Sequence, residues 1–405
     1  MKAAFSLAKV ITAFGEGFNT TKQATPYIQK TFRAINRCRK ASMGGHVDQC
    51  SLSSCQHIRI SYNSCRNRHC PSCQSTQKEQ WISRMEYRTL PVSYFHGVFT
   101  VPHEFNGLCL RYPALMYELL FKVVWATINE CSKHPQYGVL KTGMTAILHT
   151  WGQQLWLHPH LHCIIPAGGL SQNISAGYKW KKLKGNNTYS QGAKKKKNKD
   201  FLYPIDHLKS KYKAKFMAAL RKLIKQGLIE KQEPKFLDMV YKKDWVVYAK
   251  RPFAGAKQVI DYLGRYTHKI AISNHRLLNI TDQEVKFTYK DYDDKSKTKA
   301  MILNGVEFLR RISLHVLPKG FTKIRHFGLH AGANQHIMDA LYQDFYQLPR
   351  PAQVVETWQQ IAFKKTGFIE NQCPKCKQNS LQTKAVWLVN RPPPQKYNNL
   401  IFNTL

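Results

Sequence analysis

Between Cys38 and Cys73 the chain packs six cysteines and three histidines into a stretch that is otherwise rich in serine, with Gly and Asn among it. So few apolar side chains cannot close a core, and the segment needs a staple to hold a shape. Tight cysteine clusters mixed with histidine, in a basic chain, favour metal ligation over disulfides. The ligand candidates are Cys38, His46, Cys50, Cys55, His57, Cys65, His69, Cys70 and Cys73. Cys70-Pro71-Ser72-Cys73 is a CxxC knuckle that lets two thiolates grip one ion, with Cys65 and His69 just upstream. Cys50 and Cys55 are its expected partner pair, although their spacing is looser than a standard knuckle. Zn²⁺ is the expected ion, because four S/N ligands hold it tetrahedrally and it replaces a missing core. A redox role is disfavoured, since no thioredoxin-like βαβ pattern surrounds the knuckle. A second CxxC, Cys373-Pro374-Lys375-Cys376, has no later Cys or His to complete a site; it is either vestigial or completed from elsewhere in the chain.

A second constraint is His158-Pro159-His160-Leu161-His162-Cys163-Ile164-Ile165. On a strand, alternate side chains share a face, so His160 and His162 project together and make half of a metal site. A lone His-x-His is more often the wet face of a strand. The balance shifts with Tyr262 and Tyr266, four apart and so on one face of a helix. Arg265, His268 and Lys269 make their surroundings cationic, which stabilises a phenolate and holds a phosphodiester. A free phenol, with a pKa near ~10, needs such help to act as a nucleophile.

The 405 residues allow two or three domains, and a formal charge of +38 directs the chain towards polyanions, nucleic acid first. No apolar run reaches the roughly 18 residues that span a bilayer. Residues 1–18 read as a short helix rather than a secretory signal, which points to the cytoplasm. Periodicity divides the chain into a helical and cysteine-rich module over 1–90, an α+β or α/β unit over 91–345, and an irregular tail over 346–405. Strands are expected at Tyr94–Val101, Met144–Trp151, Trp245–Ala249, His268–Ser273, Val285–Tyr289 and Ala300–Leu303. Helices are expected at Pro113–Cys131 and, basic and amphipathic, at Lys209–Gln226. An insertion over 172–199 with four consecutive lysines reads as an exposed loop.

A histidine-held divalent ion, a nucleophilic tyrosine and a strongly basic chain are the parts of a DNA strand-transferase. The chain resembles the IS-ninety-one-type rolling-circle transposases, two-tyrosine HUH enzymes with an N-terminal zinc-binding module. The resemblance rests on Gly44-Gly45-His46-Val47, Ser61-Tyr62-Asn63-Ser64-Cys65-Arg66-Asn67-Arg68-His69-Cys70-Pro71 and Tyr94-Phe95-His96. It continues through His149-Thr150-Trp151-Gly152-Gln153, His158-Pro159-His160-Leu161-His162, Tyr262-Leu263-Gly264-Arg265-Tyr266-Thr267-His268 and His315-Val316-Leu317-Pro318-Lys319. It implies an α+β fold with an HUH core: a central antiparallel sheet, the histidine strand in its middle and the tyrosine helix alongside. It also implies that His160 and His162 are metal ligands and that Tyr262 and Tyr266 are nucleophiles, Tyr262 making the first cut. Gln153 is the favoured third ligand, with His158 and Gln258 as competitors, and such a site suits Mg²⁺ or Mn²⁺. Single-stranded DNA at the ends of a mobile element is the implied partner. Arg265, His268, Lys269, Lys319 and Arg325 are candidate DNA contacts, and Trp151 and Trp156 candidate base-stacking platforms. A replication initiator or relaxase uses the same chemistry, and a non-catalytic zinc-dependent DNA-binding protein would use the histidines and tyrosines as structure.

Overall fold

The computed structural model describes residues 4–171, 177–183, 203–253, 257–258, 260–261, 264 and 271–390. Two compact units result, each assembled from separate stretches of chain. The first comprises Met1–Gln80, His268–Val316 and Val355–Leu405, and the second Trp81–Thr267 and Leu317–Val354. The expected division near residues 90 and 345 differs: the N-terminal module also takes in a middle segment and the C-terminal stretch.

In the first unit, the helix Leu7–Asn19 is capped by Ser6 and buries Leu7, Val10, Ile11, Phe14 and Phe18, a stripe at helical spacing. Strands, numbered along the chain, form two three-stranded sheets here. One joins β1 (Gly45–Cys50) to β2 (Ile58–Tyr62) on one side and to β14 (Leu381–Trp387) on the other, all antiparallel. The other sheet is β10 (Leu277–Ile280), β11 (Glu284–Asp291) and β12 (Lys297–Asn304), followed directly by the helix Gly305–Ser313. The C-terminal stretch is therefore not an irregular tail; it supplies the helix Trp358–Thr366 and an outer strand. Of the strand expected at His268–Ser273, residues 268–270 lie outside the described residues and 271–273 are not in a strand.

The second unit is built on a five-stranded antiparallel sheet in the order β13-β5-β6-β3-β9. Its strands are β3 (Tyr94–Thr100), β5 (Gly143–Trp151), β6 (Leu157–Pro166), β9 (Val247–Phe253) and β13 (Ile324–Gly328). A smaller sheet joins β4 (Val139–Lys141), β7 (Gly168–Ser171) and β8 (Trp180–Lys182). The histidine strand β6 is central, as expected, and from Leu161 onward its side chains are buried on both faces of the sheet. One face carries Leu161, Cys163 and Phe99, with Tyr212 of the helix Ile205–Lys225 edge-on to Phe99 at 5.3 Å. The helix Pro113–Ser132 is apolar because this face and its neighbours bury most of its length. The opposite face carries the histidines. There Trp81, Met85, Tyr94, Ile147, Ile164 and Ile260 form one buried cluster. No helix among the described residues is long and apolar enough to cross a membrane.

Candidate metal centres and the family of the chain

In the first unit the cysteines sort into two groups of four. Cys38, Cys65, Cys70 and Cys73 converge, with Sγ atoms 3.4 Å apart for Cys38–Cys73 and 3.6 Å for Cys65–Cys73. Cys50 and Cys55 do not join this knuckle, contrary to the expected pairing. They meet Cys373 and Cys376 instead, at 3.8 Å for Cys50–Cys376 and 3.7 Å for Cys55–Cys373. His69 belongs to neither group; its Nε2 accepts from Arg68 Nε at 3.3 Å. The ends of β1 and β14 bring Cys50 beside Cys373 and Cys376, which is why neither half of the group is complete in local sequence.

In the second unit, antiparallel register assembles a histidine cluster. His149 on β5 lies directly opposite His160 on β6, and His162 lies opposite Ile147. Residues that face each other across antiparallel strands point to the same side. His149, His160 and His162 thus bring ligand nitrogens within 4.8 Å of one another. The Nε2 atoms of His160 and His162 are 3.2 Å apart. Each ring's other nitrogen is engaged elsewhere. His160 Nδ1 donates to the His158 carbonyl at 2.6 Å, and His162 Nδ1 lies 2.8 Å from His96 Nε2 of β3. Desolvation pushes the His160 imidazolium down to about 4, so the ring is neutral at ordinary pH. Its lone pair is then available on Nε2.

Gln153, the favoured third ligand, sits in the turn between β5 and β6, whereas His149 occupies the third corner. His158 is exposed on β6, and Gln258 is an exposed helical residue. Neither His96 nor His149 is marked as functional by its spacing in sequence. The signal for both lies in strand pairing, since His96 is opposite Ile164 and shares the face of His162.

The rim of this face is aromatic and basic. Trp151 stacks on His149 with ring centroids 4.5 Å apart, and Lys323 lies over Trp151 at 5.0 Å. Trp156, in the β5–β6 turn, is 48% exposed, enough to offer a ring face to solvent. Lys319 is exposed in a turn. Arg325 is placed otherwise: strand alternation turns it to the opposite face from Ile324 and His326. There it pairs with Glu118 at 2.7 Å and covers Phe121 at 4.4 Å. The basic helix Ile205–Lys225 likewise spends part of its charge internally, Lys211 and Lys215 pairing with Glu130. Tyr262, Tyr266, Arg265, His268 and Lys269, with the lysines 194–197, lie outside the described residues.

Comparison with known proteins matches two families, one over each kind of centre. Residues 10–101 match the family described as a transposase zinc-binding domain, and residues 143–336 match a family described as putative transposase. A putative transposase of Sinorhizobium fredii is 35% identical over 96% of this chain and 97% of its own length. The transposase for insertion sequence element IS801 of Pseudomonas savastanoi pv. phaseolicola is 26% identical over 74% of this chain and 69% of its own. No solved structure matches the chain. A zinc-binding domain with a four-cysteine cluster, a transposase domain holding the histidine strand and near-complete coverage of a curated relative converge. The chain belongs to the IS-ninety-one-type family of insertion-sequence transposases.

Proposed function

We propose that this transposase breaks and rejoins single-stranded DNA through a phosphotyrosine bond at a three-histidine metal centre, as a rolling-circle enzyme with an HUH core. One observation carries the reading. Ile260, two residues before Tyr262, is fully buried in one apolar cluster with Ile147 and Ile164. Those two residues are one alternate step along β5 and β6 from His149 and His162, on the same face. Ile260 therefore sits on the face of the sheet that carries the histidines, and its nearness in sequence to Tyr262 supports a tyrosine nucleophile there.

The donor set fits an ion. With metal–nitrogen bonds of roughly 2.1 Å, two ligand nitrogens at 90–110° lie about 3.0–3.4 Å apart, and the Nε2 atoms of His160 and His162 are 3.2 Å apart. Three imidazole nitrogens suit Mn²⁺ better than Mg²⁺, which prefers oxygen. This favours His149 over Gln153 as third ligand. A divalent ion held there acts as a Lewis acid towards a phosphate oxygen. His162 then donates its Nδ1 proton to His96, which fixes the ring's tautomer and direction.

Tyr262 forms the bond from its phenol oxygen to phosphorus while the bond from phosphorus to the leaving DNA hydroxyl breaks. The phenol proton passes to solvent, and the departing oxygen takes one from solvent. The phosphotyrosine keeps the energy of the phosphodiester, so rejoining needs no ATP. Tyr266, four residues on, holds the second strand. Trp156 and the stacked Trp151 receive unpaired bases, while Lys319 and Lys323 meet phosphates without reading sequence.

The test incubates the full chain with labelled single-stranded DNA from its element's end and Mn²⁺. A covalent protein–DNA adduct is expected, lost in Y262F/Y266F. DNA binding without any adduct would reduce the protein to a non-catalytic DNA-binding role.

A further inference from the structure

We infer that Cys50, Cys55, Cys373 and Cys376 hold a second zinc ion, which fastens the C-terminal stretch to the N-terminal module. The family's zinc-binding region spans residues 10–101 and so contains only two of these four ligands. Four thiolates around Zn²⁺ at about 2.3 Å put neighbouring sulfurs about 3.8 Å apart. The observed separations are 3.7 Å for Cys55–Cys373 and 3.8 Å for Cys50–Cys376. A disulfide needs about 2.05 Å, so these are not bonded pairs.

The surroundings suit a tetrathiolate. Cys373 and Cys50 are buried, and Leu381 packs against them as an apolar lid. Backbone amides of His57 and Gln378 donate to the sulfurs of Cys55 and Cys376, and Ser380 Oγ lies 3.0 Å from Cys50 Sγ. N–H groups aimed at sulfur from tight turns lower the cost of a thiolate. Four clustered thiolates without a cation repel one another, whereas Zn²⁺ offsets two of the four charges.

The strands confirm that the two ends of the chain belong together here. β14 pairs with β1 along its length, Leu381 opposite Cys50 and Trp387 opposite Gly45. Gly44 has φ +74, and a Cβ there would lie 2.5 Å from the Trp387 carbonyl oxygen; one on Gly45 would lie 2.7 Å from the Trp387 ring. The Gly44-Gly45 pair of the N-terminal motif is thus shaped to receive β14. The outcome is a zinc ribbon whose two knuckles come from opposite ends of the chain. Closing a loop between residues 318 apart constrains the unfolded chain strongly.

The test counts zinc in the full chain carrying H160A and H162A, so that imidazoles contribute none. Two zinc ions per chain are expected, with X-ray absorption showing four sulfurs at about 2.3 Å around each. C373S/C376S is expected to retain one, and C70S/C73S one. A single zinc in the parent, or two retained by C373S/C376S, overturns the inference. Should the cysteine variants not fold, cobalt(II) titration of the parent decides: thiolate charge-transfer absorption saturating at two equivalents supports it, and saturation at one overturns it.

Discussion

His96 Nε2 lies 2.8 Å from His162 Nδ1, with the two rings within 11° of parallel. The contact spans neighbouring strands and is buried. A partner of this kind holds a ligand ring in position and sets its tautomer, and losing one typically costs 10–100-fold in metal affinity. H96A is therefore expected to weaken Mn²⁺ binding by about that factor, read by titration calorimetry, while raising the Mn²⁺ needed for adduct formation. Unchanged affinity would make His96 a packing residue.

Two further histidines, one buried (His330) and one half-buried (His326), predict acid sensitivity. His326 and His330 flank Thr145, their Nδ1 atoms 3.0 and 2.9 Å from its hydroxyl. Burial first, and then the nearby Arg88 charge, push His326 to about 4; burial, then the neighbouring His326, then Arg88 push His330 to about 3. Both lie below the unfolded value near ~6.5, so the unfolded chain takes up protons first. Their stabilisation is complete above about pH 6.5 and is lost as pH falls towards 4, by up to about 1.4 kcal/mol per pH unit for each ring. Urea unfolding between pH 7.5 and 5.5 should show that slope, and H326Q/H330Q should flatten it. An equal slope in both proteins would assign the acid sensitivity to other groups.

Arg325 and Lys319 should separate cleanly. The ion pair with Glu118 and the cover over Phe121 make Arg325 structural. R325Q is expected to cost about 1 kcal/mol of stability, in keeping with a half-buried pair and a cation–π contact, without altering the salt dependence of DNA binding. K319Q should leave stability alone and lower the salt slope by about 1. Reversed results would place Arg325 on the DNA.

Trp156 offers an exposed ring next to the histidine face. Stacking on one base is worth about 1–3 kcal/mol, so W156A should weaken single-stranded DNA binding about 5–100-fold in fluorescence anisotropy, with Mn²⁺ affinity intact. Equal binding would exclude stacking there.

Much of this was legible locally. Alternating histidines give the strand, its apolar continuation gives a central place in the sheet, and helical stripes give the helices. What was not legible depends on pairing between distant segments. His149 becomes a ligand candidate only once β5 and β6 are in register, and His96 only once β3 is added. Cys50 and Cys55 could be matched by spacing only to the nearest knuckle, whereas their structural partners lie more than 300 residues on. Charge alone points Arg325 to DNA; strand parity, invisible in composition, turns it to Glu118.

The most direct measurement is peptide mapping by mass spectrometry of the covalent adduct formed with a single-stranded element end and Mn²⁺. The expected result is a nucleotide mass on the peptide bearing Tyr262, moving to Tyr266 or disappearing in Y262F, and absent when His160 and His162 are both replaced by alanine. An adduct on another residue, or one that forms equally well in Y262F/Y266F, would contradict the two-tyrosine account.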